Sequence, residues 1–162
     1  YAMCKAHGLS ETVTMQVLND QARDHGRVPM SWDDSEYAGF STVKPWMKVN
    51  QDKDTVNVAT EARDPDSVLN YYRKLIKLRR DPQYKEIFTY GEFVPMDDPN
   101  GHTLAYLRRT SDRTIMVVAN FGAWPVHFPV NESSTILLSS DRVKVENNQL
   151  TVAEGSSAIV LL

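Results

Sequence analysis

The 162-residue chain carries 41% hydrophobic and 24% charged side chains with a formal net charge of −3, the balance of a globular domain able to bury its own core. That charge and a pI near 5.8 exclude the basic footprint of a nucleic-acid-binding surface. The longest apolar runs, TIMVVANF and SAIVLL, fall far short of a membrane span. The single cysteine, Cys4, excludes an internal disulfide and a cysteine-based zinc site and reads as a small buried filler.

The opening YAMCKAH starts on Tyr1 rather than methionine and reads as the interior of a longer or processed product. Cytoplasmic residence is the expectation, with secretion left open because a leader would lie outside these residues. LSETVTMQVLNDQA predicts a short helix with Ser10 as N-cap, Glu11 in the first turn, and an apolar edge of Val13, Val17 and Leu18. From Asp24 to about Ala62 neither helical nor strand periodicity is sustained, and Pro29, Gly39 and Pro45 punctuate a long irregular segment. Such a run inside a compact domain is commonly functional. Its aromatic residues, Trp32, Tyr37, Phe40 and Trp46, argue against disorder.

DPDSVLNYYRKLIKLRRDP predicts the clearest helix, with Asp64 as cap, Pro65 in the first helical position, and Val68, Leu69, Tyr72, Leu75 and Ile76 as its apolar stripe. Lys77, Arg79 and Arg80 sit where the helix dipole favours cations, and Pro82 ends the element. From residue 87 the pattern changes to strands: IFTYGEFVPM, HTLAYLRRT, RTIMVVANF, PVHFPV, STILLSS, RVKVEN, QLTVAEG and SAIVLL. DDPNG and ENNQ provide hairpin turns between them. The reading is an α+β chain: helices and loops over residues 1–86, then an all-β domain over 87–162, as a small antiparallel two-sheet sandwich.

The chemistry is concentrated in QARDHGRVPMSWDDSEYAGF, residues 21–40. A glycosidase needs two carboxyl groups facing each other, about 5 Å apart if configuration is retained. Asp33, Asp34 and Glu36 are too close in sequence to converge on one point, so they read as solvated or turn-capping carboxylates. The histidines, His7, His25, His102 and His127, accompany no nucleophile elbow and no second ligand at metal spacing, so neither a Ser-His-Asp triad nor zinc is expected. No glycine-rich phosphate loop is present, and no cofactor is expected. Arg23 and Arg27, spaced i and i+4 at the entry to an aromatic loop, remain. Their planar donor forks suit a carboxylate or a pair of sugar hydroxyls as well as they suit loop carbonyls.

The block ARDHGRVPMSWDDSEYAGFSTVKPWMKVN resembles the segment SRDNARTPMQWDD…AGF…PW…VN of α-glucosidases in glycoside hydrolase family 13, the maltases and oligo-1,6-glucosidases (isomaltases). The likeness continues through DPDSVLNYYRKLIKLRR, similar to the last helix of their (β/α)8 barrel, and through IMVVANF into a closing β-domain. The resemblance implies the end of that barrel over residues 1–86 and a C-terminal β-sandwich over 87–162. It implies a retaining, exo-acting enzyme that removes α-linked glucose from the non-reducing end of short gluco-oligosaccharides. The nucleophile, the acid/base and the third carboxylate would lie upstream, so the fragment alone would be inactive.

By the same resemblance Arg23 is the substrate-binding residue, placed against the non-reducing glucose and paired with an upstream aspartate, while Arg27 and Trp32 support the loop. His25-Gly26 in place of Asn-Ala, and Ser31 in place of Gln, depart from the family segment. They bear on loop packing or the aglycone side rather than on Arg23. Other family 13 members, namely sucrose isomerase, trehalose-6-phosphate hydrolase and dextran glucosidase, share the loop. A non-catalytic glucan-binding β-domain is the alternative of another class.

Overall fold

The structure, a computed structural model, describes residues 1–21, 26–99 and 101–162. It is a mixed α+β chain with two antiparallel sheets, and it separates into two compact units, Tyr1–Pro65 and Asp66–Leu162.

In the first unit, α1 (Ala2–Ala6) precedes α2 (Glu11–Gln21). Ser10 caps α2 as its position predicts, its Oγ accepting the Val13 N–H at 3.3 Å. Tyr1 Oη donates to Glu11 Oε2 at 2.7 Å, and Lys5 pairs with the same carboxylate at 3.2 Å, which ties α1 to the start of α2. Of the predicted apolar edge only Leu18 is half-buried. Val13 and Val17 are exposed, and the buried residue of α2 is Thr14. Cys4 is half-buried rather than the buried filler expected.

From residue 26 the described chain is mostly turns and bends until α3 (Val58–Arg63), a helix within the segment expected to be irregular. Asn57 makes this short helix by capping it, its side chain accepting the Thr60 N–H at 2.8 Å.

The second unit begins with α4 (Val68–Arg80), followed, among the described residues, by α5 (Lys85–Tyr90) and eight strands. The N-cap of α4 is Ser67, whose Oγ accepts the Asn70 N–H at 3.1 Å, and not Asp64, which follows α3 as its C-cap. The strands are β1 (Glu92–Pro95), β2 (Thr103–Arg109), β3 (Thr114–Asn120), β4 (Val126–Pro129), β5 (Thr135–Ser139), β6 (Val143–Glu146), β7 (Gln149–Val152) and β8 (Ser157–Leu161). They form one sheet in the order β1-β2-β3-β8-β5 and another in the order β4-β7-β6. The one departure from the strand reading is IFTY. It lies in α5, where Ile87 is buried beside Ile115 and Ile159.

β3 and β8 read as nearly continuous apolar runs because both their faces are covered. Met116, Val118, Ala158 and Val160 point into a core shared with Val126 and Phe128 of β4 and Leu150 and Val152 of β7. Ile115, Val117, Ile159 and Leu161 alternate to the opposite face, where Leu75 and Leu78 of α4 and Phe88 of α5 pack. The second unit is therefore layered as a helix pair, a five-stranded sheet and a three-stranded sheet.

ENNQ forms the tight β6–β7 hairpin expected of it. Asn147 and Asn148 take φ of 50° and 60° between the paired Glu146 and Gln149. At DDPNG, Asp98 Oδ1 accepts the N–H groups of Gly101 and Thr103.

The predicted stripe of α4 is rotated from its expected setting. Leu75 turns to the sheet together with Leu78, and Tyr71 Oη meets Ser157 Oγ at 3.0 Å. Val68, Tyr72 and Ile76, four residues apart, form an exposed apolar row, with Val68 67% accessible.

Candidate functional site

The candidate loop is built from its backbone outward. The Ser31 and Trp32 carbonyls accept the N–H groups of Val58 and Ala59, each at 3.0 Å. The first turn of α3 has no intrahelical acceptors for these donors, so the loop supplies them. Lys53 Nζ donates to the Asp34 carbonyl at 2.8 Å and pairs with Asp54, and Asn57 Nδ2 donates to the Lys53 carbonyl at 2.7 Å. Residues 31–34 are thus tied to residues 53–59 by hydrogen bonds.

Between these ties the chain reverses at YAGF. Trp32 N–H donates to the Ala38 carbonyl at 2.8 Å, and Ala38 and Gly39 take φ of 56° and 65°. Gly39 is needed twice: its φ lies in the left-handed region, and a Cβ there would sit 2.6 Å from Asp33 Oδ2. Asp33 Oδ1 accepts the Ser35 N–H at 2.9 Å and the Ser35 hydroxyl at 2.5 Å, and the Ser35 hydroxyl oxygen accepts the Gly39 N–H at 2.9 Å.

These bonds decide what Asp33 does. The Ser35 hydroxyl, then the Ser35 amide and to a smaller degree the Lys53 charge, hold its carboxyl below the ordinary range. An aspartate stabilised as the anion inside a turn is a structural acceptor and a poor proton donor. Glu36 hydrogen-bonds Tyr37 and pushes the phenol above its usual value. The DDSE carboxylates thus build or border a turn.

Arg23, the substrate-binding residue implied by the resemblance, lies outside the described residues, as do Asp24 and His25. Arg27 is exposed. The backbone of Trp32 is held on both sides, by Ala38 and by Ala59, while its ring stays exposed. Phe40 and Trp46 are also exposed, Trp46 at 95%. The Ser31 hydroxyl is buried with no hydrogen-bond partner among the described residues, at the position where the loop departs from the family segment.

The residues that the sequence reading passed over are Ser35, Lys53 and Asn57, which fix the loop through their hydrogen bonds. Two of them carried a signal: D-x-S is an Asx-turn pattern, and Asn57 stands three residues before Thr60 as an N-cap does. Among the described residues no three His, Cys, Asp or Glu side chains gather as a metal set, and no helix is long and apolar enough to cross a membrane. His7 Nδ1 lies 2.8 Å from the Met3 carbonyl and His127 Nδ1 lies 3.1 Å from Thr151 Oγ1, so each is engaged locally.

Comparison with known proteins adds a relationship to this geometry. Residues 2–91 match the family model described as the α-amylase catalytic domain. An α-glucosidase of Candida albicans is 41% identical over 153 residues, 93% of this chain and 26% of that protein. An oligo-1,6-glucosidase of Bacillus cereus is 35% identical over 139 residues, covering 84% of this chain and 24% of that protein. The chain thus spans about a quarter of the length of the curated relatives it matches. Among solved structures, the trehalulose synthase MutB of Pseudomonas mesoacidophila superposes with a TM-score of 0.74 at 34% identity, covering 86% of this chain and 26% of that one. A variant of MutB has been solved with the substrate sucrose.

Proposed function

Because the chain belongs to the α-amylase family of glycoside hydrolases, family 13, and is α-glucosidase and oligo-1,6-glucosidase-like within it, we propose that it serves an exo-acting, retaining α-glucosidase. In this reading residues 1–86 complete a (β/α)8 barrel and residues 87–162 form its β-sandwich C-terminal domain. The observation that carries the reading is the arginine-loop block, in a chain 41% identical to an α-glucosidase over 93% of its length. The exposed row of Val68, Tyr72 and Ile76, with the exposed rings of Trp32, Phe40 and Trp46, supports it. Apolar surface of this kind is what barrel elements would cover.

Retention of configuration requires a nucleophilic carboxylate and an acid/base carboxyl about 5 Å apart, and in this reading both are supplied upstream. Arg23 contributes charge-assisted hydrogen bonds at the far wall of the glucose pocket, which favours removal of a terminal residue over internal cleavage. In this reading Arg27 and Trp32 support the loop, and the ties of residues 31–34 to residues 53–59 brace the backbone at Trp32.

The test is hydrolysis of maltose and isomaltose by the enzyme containing this chain, with Arg23→Ala beside it. The expected result is release of α-glucose and a fall in kcat/KM of about 100-fold or more in the variant, the scale of losing a charge-assisted contact to the reacting sugar. The 162-residue chain alone should give no turnover above blank, and turnover by it would overturn the assignment of the catalytic groups. A sucrose-isomerising activity is the second reading, favoured by the likeness to MutB. Product analysis on sucrose separates the two, since isomerisation yields a rearranged disaccharide where hydrolysis yields glucose and fructose.

A further inference from the structure

The second unit contains a cleft of about 340 Å³ between α4 and the five-stranded sheet, within the size range of small-molecule sites. Leu75, Phe88, Tyr106, Val117 and Ile159 form its apolar walls. Polar groups on its lining stand two helical turns apart on α4. Tyr71 shares its hydroxyl bond with Ser157 Oγ, and Arg79 lines the cleft further along the helix. The eight residues between Tyr71 and Arg79 correspond to about 12 Å along the helix axis. The Arg79 side chain is exposed and makes no ion pair or hydrogen bond among the described residues, and Lys77 and Arg80 share its helix turn.

A saccharide is a poor occupant, because several of its hydroxyls would face apolar walls without partners. A neutral apolar molecule would leave the guanidinium unused. We propose that this cleft binds a small amphipathic carboxylate, its apolar chain lying along Leu75, Phe88 and Ile159 and its carboxylate on Arg79. Burial of the chain supplies the affinity, and the planar donor fork sets the direction in which the molecule lies. The cleft shares no lining residue with the loop of residues 26–59, so this inference and the α-glucosidase reading stand or fall independently.

Decanoate, decanol and maltose titrated into the 162-residue chain test it, with calorimetry for affinity and methyl NMR for location. Decanoate should bind more tightly than decanol, maltose should not bind, and methyl resonances of Leu75, Val117 and Ile159 should shift. Arg79→Gln should weaken decanoate about tenfold while leaving decanol unchanged, the scale of one charge-assisted contact. Ala119→Leu, which adds bulk to the lining, should weaken both ligands. If circular dichroism shows that this variant is unfolded, nuclear Overhauser contacts from decanoate to the Leu75 and Ile159 methyls of the unaltered chain take its place. Equal binding of decanoate and decanol with no effect of Arg79→Gln would overturn the proposal, as would decanoate binding that leaves those methyls unmoved.

Discussion

Residues 66–162 and residues 1–65 are held together by different physics. The β-rich unit buries Ile115, Met116, Val118 and Val160, on strands covered from both faces, and Leu150 and Val152, on the inward face of β7, to the point of negligible exposure. Among the described residues of the first unit the buried side chains are small or polar, namely Thr14, Pro29, Ala38 and Asn57, while Trp32, Phe40 and Trp46 are exposed. Its loop is held by carbonyls and side-chain acceptors satisfying specific N–H groups. A core of the first kind is cooperative and tolerant at its edges. A turn network of the second kind is local and depends on single atoms.

The largest expected effect tests the core. Leu150 is fully buried on β7 at the centre of the cluster shared by the two sheets, and Leu150→Ala should cost about 2–5 kcal/mol of stability in transfer and cavity terms. Chemical denaturation followed by amide exchange of the β3 and β8 residues reads it. A loss of less than about 1 kcal/mol would mean that the two-sheet core is looser than its burial indicates.

A smaller effect tests the turn network. At Gly39 an alanine must adopt a left-handed φ and push against the Asp33 carboxylate. Gly39→Ala should therefore cost about 1–3 kcal/mol of local order, read as faster exchange of the Trp32, Ala38 and Gly39 amides. Unchanged exchange at those amides would show that the YAGF reversal does not hold the loop.

The two units also differ in how much of them was legible from the sequence. Strands covered on both faces announce themselves as apolar runs between turn signals, and Asn147-Asn148 can hardly be anything but a tight hairpin. IFTY carries strand-like residues, yet Ile87 is buried beside Ile115 and Ile159 as part of a helix, a tertiary demand that outweighs local propensity. The α4 periodicity was legible, but its cap and its inward face were not. Asp64, Pro65 and Ser67 all offer plausible starts, and only the sheet decides that Tyr71 and Leu75 turn inward while Tyr72 turns out.

In the candidate loop, composition drew attention to the carboxylates, and the reading of Asp33 as turn-capping rested on crowding and on the lack of an apolar pocket around it. What sequence spacing could not supply was the partner: Gly39 returning to within contact of Asp33 because Ala38 and Gly39 both take positive φ. Arg23 entered by family resemblance, and no periodicity or spacing in the chain singled it out over Arg27.

The smallest expected effect is a pH dependence in that same turn, and its sign follows from the bonds to Ser35. Asp33 has its folded pKa lowered from an ordinary 3.8, chiefly by the Ser35 hydroxyl and then by the Ser35 amide. A carboxyl that binds its proton less readily when folded contributes stability above its unfolded value. That contribution is lost as pH falls through the lowered one. The turn should therefore be indifferent to pH across the neutral range and loosen only under acid, below about 3.8. An NMR titration of the Asp33 side-chain carbonyl carbon gives the midpoint directly. It should lie below the ordinary carboxylate value and move back towards it in Ser35→Ala, where the hydroxyl donor is gone and the amide and Lys53 remain. A midpoint at or above the ordinary value in the unaltered chain would return Asp33 to the candidates for proton donation, and the loop would then need a different account of what holds Gly39 in place.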